Sequence, residues 1–193
     1  MSSWNGRVQI GIALPTPRAT LLSFINLVEV HVLSAIRRHH NIPMQKVRLA
    51  IAYLQRLYGQ AHPLAMHKFE TDRVDLFIQE LGRTVNVVRE GQVAMRDLIE
   101  AHLKRVEWDA GGLPAALYPF VSEDLDIERK PVMFDPRIAF GRLVLANTGI
   151  PTIEIAQRYK AGESIDNLAI DYGRTRLEVE DAIRCELQLA SAA

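Results

Sequence analysis

Two glycine–hydroxyl pairs near the C-terminus constrain this chain more than any other feature. Gly162 is followed by Ser164, and Gly173 by Thr175. Glycine supplies the left-handed residue on which helices commonly stop. A serine or threonine oxygen then caps the first free amides of the next helix. The spacing predicts helices over about 152–161, 164–172 and 176–189. In Thr175-Arg-Leu-Glu178 the threonine oxygen can cap an early amide while the glutamate reaches back, a capping box. Tyr159, Ile165, Leu168, Tyr172, Val179, Ile183 and Leu187 fall where such a unit would keep its core. Ahead of it, 140–152 opens as an extended lead-in, and Val132-Met-Phe134 is a short extended piece ending at Asp135-Pro136. The expectation is a trihelical, helix-turn-helix-like domain over 131–193.

The rest of the chain reads as mainly α. Residues 1–20 form an irregular arm closed by Pro15 and Pro17. Ser23 can cap a helix running to about His40. Leu22, Phe24, Ile25, Leu27, Val28, Val32, Leu33 and Ile36 make nearly every face of it apolar. Such a helix is either central or buried between subunits, so Phe24, Leu27, Val28 and Val32 are candidates for a dimer interface. Asn41-Ile-Pro43 breaks it. A second helix runs from Met44 to about Tyr58 and stops at Gly59, with Val47, Ala50, Ile51, Leu54 and Leu57 as its stripe. Residues 76–79 and 84–88, flanking Gly82, read as a small β-hairpin. A third long helix is expected over about 92–107, ended by Gly111-Gly112 and Pro114. The layout is an arm (1–20), a helical region with a hairpin (21–112), an acidic connection (113–130) and the trihelical domain (131–193).

Composition excludes several classes. The single cysteine, Cys185, can form neither an internal disulfide nor a cysteine-based zinc site, and is expected to pack on the apolar side of the last helix. Residues 8–14 are apolar but short, and 21–36 are interrupted by Asn26, Glu29 and His31. Neither matches a signal-peptide core or a span of about 20 apolar residues, so the expected location is cytoplasmic. Net charge is zero but unevenly spread. Residues 1–60 hold seven basic residues and one acid (+6), 61–130 nine and thirteen (−4), and 131–193 seven and nine (−2). Segregation of this kind suits an anionic partner for the first third, or packing of that basic region against an acidic one.

Catalytic signatures are missing from the sequence: no phosphate-binding glycine loop, no Gly-x-Ser-x-Gly, no His-Glu-x-x-His. His39 and His40 sit at a helix C-terminus, where histidine is favourable. His62 and His67 read as solvated loop residues, and His31 and His102 as core or interface histidines. Asp72, Asp75 and Glu80 read as a solvated turn. No enzyme, cofactor or metal is expected. Arg37, Arg38, His39, Lys46 and Arg48 bracket the Asn41–Pro43 turn and could hold phosphates, or form a solvated corner. Arg174 and Arg176 are the basic pair at the entrance to the last helix, which carries Glu178, Glu180, Asp181 and Glu186. A recognition helix lies between phosphate rows, so four acids suit a protein partner better than a DNA groove.

Several words along the chain resemble one bacterial family. In the C-terminal part they are Asp135-Pro136, Phe140-Gly-Arg142, Thr148-Gly-Ile-Pro-Thr152, Ala161-Gly-Glu-Ser-Ile165 and Asp171-Tyr-Gly173. Upstream they are Leu22-Ser-Phe-Ile-Asn-Leu-Val-Glu29, Val32-Leu-Ser-Ala-Ile-Arg-Arg38 and Thr71-Asp72 with Asp75-Leu-Phe77. Together they resemble VapB-type antitoxins of toxin–antitoxin pairs: a MerR-like half followed by a small C-terminal domain of formally unknown function. The resemblance implies a cognate toxin with a PIN-like ribonuclease fold, and autorepression through operator DNA. Leu143 stands where the family often has proline. Asn147 stands where it has glycine, and asparagine tolerates the left-handed backbone. The family's usual opening helix-turn-helix is not found ahead of the long apolar helix, and 191–193 is shorter than a toxin-wrapping tail. The resulting expectation is a dimeric antitoxin whose Glu178, Glu180, Asp181 and Glu186 meet the toxin. The rivals are a MerR-like transcriptional regulator without a toxin, and a scaffold that binds neither.

Overall fold

The computed structural model describes residues 22–40, 42–67, 69, 73–85, 89–119 and 129–191, without the side chains of 37–40, 84–85, 89–90 and 189–191. The expected arm at 1–20, Asn41, Asp72 and the acidic run at 123–128 lie outside the described residues. The chain divides into two compact units. The first runs through Leu103 and takes back Asp109–Pro114; the second comprises Lys104–Trp108 and everything from Ala115 onward.

In the first unit, helix α1 is Phe24–His40 and α2 is Met44–Tyr58. Both follow the sequence reading. The Ser23 hydroxyl accepts from the Asn26 amide at 3.2 Å, and Gly59 stops α2 in the left-handed conformation, φ 65°. Helix α3 is Val74–Val85 and α4 is Arg89–Leu103. Helix α1 packs on α4, and α2 on α3. Val28, Val32, Ile36, Leu54, Phe77, Leu81 and Ile99 form much of the buried core. Burying a side chain of this size contributes about 1.5–3 kcal/mol.

Helix α3 corrects the expected hairpin over 76–85; the hairpin's last residues, 86–88, lie outside the described residues. Its buried residues Val74, Phe77, Ile78 and Leu81 recur at the helical period, while Asp75 and Gln79 face out. Gly82 is no turn residue. It lies buried inside the helix, where a Cβ would meet Nε2 of Gln92 at 2.7 Å. Helix α4 begins at Arg89 rather than Gln92 and stops at Leu103 rather than Glu107.

After α4 the chain enters the second unit as strand β1, Val106–Trp108, and returns as β2, Pro114–Leu117, through a turn at Asp109–Pro114 that clusters with the first unit. The small hairpin therefore lies here. Asp109 Oδ1 accepts from the amides of Gly111 (2.8 Å) and Leu113 (2.9 Å), and Gly112 takes φ 75°. The glycine pair reverses a hairpin instead of ending a helix, and the expected connection at 113–130 starts as sheet. Strands β3, Val132–Phe134, and β4, Leu143–Leu145, complete the order β1-β2-β3-β4. Leu117 faces Phe134, and Val132 faces Leu145, in antiparallel register. Asn147 takes φ 59° in the turn after β4, as its place in the sequence implied.

Helices α5 (Thr152–Lys160), α6 (Ile165–Tyr172) and α7 (Arg176–Ser191) follow the predicted layout. Ser164 accepts from the Asn167 amide at 3.2 Å, and Gly173 closes α6 at φ 62°. Their core joins Ile155, Leu168, Val179, Ala182, Ile183 and Cys185 to Val132, Leu143 and Leu145 of the sheet. Tyr159 and Leu187, expected inside, are exposed. The second face of the sheet buries Ala116, Tyr118, Met133, Val144 and Ala146.

Arg105 explains why α4 stops. Its side chain is fully buried. Nε donates to the carbonyl of Tyr118 at 2.7 Å, and the two terminal nitrogens donate to those of Pro119 (2.9 Å) and Arg129 (2.6 Å). A continued helix would carry this guanidinium away from all three acceptors.

Urea unfolding of single variants checks these roles. Gly82→Ala should leave stability unchanged or raise it: alanine gains about 0.5–1 kcal/mol over glycine in a helix, and the Gln92 side chain can swing aside. Gly59→Ala should cost about 1–2 kcal/mol, because its left-handed φ is strained for any Cβ. The opposite ranking would restore the turn reading of Gly82. Arg105→Met should destabilise by roughly 3 kcal/mol or more, since one buried and two half-buried carbonyls lose their donor, and Arg105→Lys should recover little, lacking the planar fork.

Candidate partner-binding surface of the trihelical unit

The four acids of α7 differ sharply in environment. Glu178 completes the capping box: its Oε2 accepts from the amide and the hydroxyl of Thr175, each at 2.8 Å, and its Oε1 pairs with Arg174. Burial alone would raise its pKa. The bonds from Thr175 and Arg174 outweigh that and hold it below the usual carboxylate value. Glu180 meets Arg176 at 3.0 Å and Arg184 at 3.7 Å. Glu186 shares the Thr152 hydroxyl with the carbonyl of Leu143. Asp181 is only 1% exposed and pairs with Arg129. Its Oδ1 has no hydrogen-bond partner among the described residues. Burial raises its pKa against the pull of Arg129. Asp181 is therefore an interior residue, not an exposed charge on a binding face.

Arg158, Arg174 and Arg176 are equally engaged. Arg174 is held by Glu178, and Arg176 by Asp166 at 2.7 Å and by Glu180. Arg158 spans Glu163 (2.6 Å) and Asp171 (2.5 Å) and lies over the Tyr172 ring. Neither Arg174 nor Arg176 stands as a free cation at the entrance to α7. Cys185 is buried, and burial pushes its thiol up to about 12, leaving it protonated and inert.

The β3–β4 loop was not singled out by chemistry in the sequence. Arg137 grips Asp135 through two side-chain bonds (2.9 and 2.7 Å) and its own amide (2.8 Å). That grip, chiefly its side-chain hydrogen bonds, lowers the Asp135 pKa. Beyond it, Ala139, Phe140 and Gly141 all have positive φ. Phe140 is 98% exposed. In the sequence the loop carries Asp135-Pro136 and Phe140-Gly-Arg142, words of the family resemblance to which no chemical role attaches.

In the first unit, the last turn of α1 carries Arg37, Arg38 and His39, and the first turns of α2 carry Lys46 and Arg48. Lys46 is half-buried and Arg48 exposed. Among the expected interface residues, Val28 and Val32 are fully buried within their own unit, while Phe24 and Leu27 are half-buried. Val28 and Val32 thus build this unit's interior rather than a surface for a second copy. His62 is not simply solvated: its Nδ1 lies 2.9 Å from Glu29, whose pKa burial raises. His102 is buried and donates to the carbonyl of Leu98 at 2.9 Å, and His31 donates to that of His102 at 3.1 Å. Asp75 pairs with Arg96, and Glu80 with Arg83. Among the described residues, no group of three His, Cys, Asp or Glu side chains is placed to hold a metal, and no helix is long and apolar enough to cross a membrane.

Replacing Asp181 gives a pH test of its burial. A carboxyl whose folded pKa is raised contributes stability below its ordinary value of 3.8, lost as pH rises through the folded value. Asparagine keeps the shape and never ionises. Asp181→Asn should match the wild type in stability below about pH 4 and exceed it increasingly toward neutrality. Thermal midpoints at several pH values check this; an advantage that shrank as pH rose would contradict the burial argument.

Residues 132–184 match the family described as "Protein of unknown function (DUF433)". The chain is also similar to the Mycobacterium tuberculosis (strain ATCC 25618 / H37Rv) protein named "Putative antitoxin VapB45". The two are 27% identical over 185 residues, which is 89% of this chain and 74% of that protein. Its fold is like that in the X-ray crystal structure of Rv2018 from Mycobacterium tuberculosis: TM-score 0.63 and 21% identity, covering 84% of this chain and 78% of the other.

Proposed function

We propose that this chain, which matches DUF433 over 132–184 and is similar along most of its length to the protein named "Putative antitoxin VapB45", is itself a cytoplasmic antitoxin. It binds and neutralises a PIN-like ribonuclease toxin encoded beside it. It performs no catalysis. The observation that carries the reading is the similarity to a protein named as an antitoxin over 89% of the chain. The chemistry of the trihelical unit supports it. A helix entering the major groove needs cations facing the phosphate rows. The entrance to α7 offers Arg174 and Arg176, and both are engaged by acids. The unit is better suited to meeting a protein, with Glu180 and Glu186 as its α7 contacts and Glu178 and Asp181 holding the fold.

A second reading rests on the first unit. Lys46 and Arg48 have no ion-pair partner among the described residues, and they follow Arg37, Arg38 and His39 across one helical corner. That corner suits contact with phosphates of the operator, giving salt-sensitive and weakly selective autoregulation. Self-association through α1 would draw on Leu22, Phe24 and Leu27, which keep exposed surface.

Co-expression with the neighbouring gene product, followed by size exclusion and a ribonuclease assay, tests the main reading. The expected outcome is a stable complex and suppressed nuclease activity. Reversing Glu180 and Glu186 to lysine should weaken binding by at least about tenfold while moving the thermal midpoint little, since partly exposed charges contribute roughly 1 kcal/mol or less. No complex, with full nuclease activity, would refute the antitoxin reading. An intact complex in the double reversal would place the contact elsewhere.

A further inference from the structure

The β3–β4 loop holds the most exposed large apolar side chain among the described residues, Phe140 at 98%. Three successive residues there occupy the left-handed region: Ala139 at φ 47°, Phe140 at 59° and Gly141 at 74°. Only glycine does so freely. A phenylalanine held there is strained, and strain of this kind persists where surrounding structure over-determines it. The loop has that support. Ile138 N donates to Asp135 O (3.0 Å), Gly141 N to Ile138 O (2.9 Å) and Arg142 N to Ala139 O (3.2 Å). The Asp135–Arg137 pair locks one end, and Ile138 and Ala139 pack onto the second face of the sheet as a floor. The backbone is fixed while the ring stands in solvent.

We propose that Phe140 is a preformed anchor that inserts into an apolar pocket of the toxin; this rests on the antitoxin reading above. A rigid aromatic projecting from an ordered loop is the residue type that dominates protein interfaces, because little freedom is lost when it docks. A protein partner fits better than a nucleic acid. Stacking sites on single strands come with a groove of cations. Here Arg137 is neutralised by Asp135, which leaves Arg142 as the one nearby cation without an ion-pair partner among the described residues. The 131–193 segment is net negative as well.

The full chain carrying Phe140→Gly or Phe140→Ala is compared with wild type for binding to the immobilised neighbouring-gene toxin, with thermal midpoints measured in parallel. Glycine relieves the left-handed strain, so Phe140→Gly should keep or raise the midpoint while weakening toxin binding at least about tenfold. Phe140→Ala removes the ring without adding backbone freedom and should weaken binding as much. That split, with stability kept and affinity lost, is one a structural role would not give. Wild-type binding with both variants unchanged would overturn the anchor and leave the antitoxin reading standing. Loss in Phe140→Gly alone would assign the effect to loop rigidity and overturn the anchor too. So would unchanged toxin affinity alongside lost self-association in sedimentation, or lost binding to a DNA duplex. Failure of the wild type itself to bind the toxin would remove both the antitoxin reading and the anchor.

Discussion

The buried guanidinium of Arg105 is the interaction on which the second unit depends. It places a full charge where water cannot reach it and compensates with backbone carbonyls at 118, 119 and 129. Those carbonyls lie on both sides of the 120–128 segment, so one side chain fixes where the chain leaves β2 and where it returns towards β3. The amide of Tyr118 in turn donates to the Arg105 carbonyl at 2.8 Å. Arginine suits this because its donors lie in one plane and diverge, matching several carbonyls at once. A buried charge of this kind is expensive unless every partner is present. It therefore favours one arrangement of the strands over shifted ones. With β2 and β3 fixed, the β3–β4 register follows, and with it the floor under the 135–142 loop.

Parts of this architecture were legible because they rest on local chemistry. Ser23, Gly59, Ser164, Gly173 and the Thr175–Glu178 box each satisfy a backbone group within four residues, and all are found as read. Asn147 belongs with them: its left-handed conformation is a single-residue property. The hairpin expected at 76–88 failed for a related reason. Gly82 reads as local punctuation, whereas its missing Cβ serves an approach by Gln92 on another helix. The strands β1 and β2 span three and four residues. A period of two cannot be told from a helical stripe over so short a run, and what ends α4 there is Arg105 reaching acceptors up to 24 residues away.

The candidate site was less legible than the fold, because charge in sequence carries no pairing information. Four acids on α7 suggested a negative face. In space they are bound to partners that sequence spacing does not reveal: Asp181 to Arg129, 52 residues away, and Glu186 to Thr152, 34 away. Only the contacts of Glu178 with Arg174 and Thr175, and of Glu180 with Arg176 and Arg184, are local enough to infer from helical spacing. Likewise Val28 and Val32 looked available for a dimer because α1 is apolar all round, and α4 and the 63–65 turn cover it within the same chain.

These pairings change which residues can carry recognition. A charge already held by an internal partner contributes little to a new interface, since docking must first break or screen what it has. On that criterion Arg158, Arg174, Glu163, Glu178 and Asp181 are committed within the trihelical unit, whereas Glu180 is held, among the described residues, only by the exposed Arg176 and Arg184, pairs that cost little to exchange for a partner's. What stays unspent is apolar or held in strain, above all Phe140 and then Ile170 on α6. The first unit differs, keeping Lys46 and Arg48 without ion-pair partners among the described residues. On the readings proposed above, contacts through Lys46, Arg48, Glu180 and Glu186 would be electrostatic, and the contact through Phe140 would be apolar and dependent on shape. Salt weakens the first and leaves the second almost untouched, so the two kinds of contact are separable by ionic strength alone.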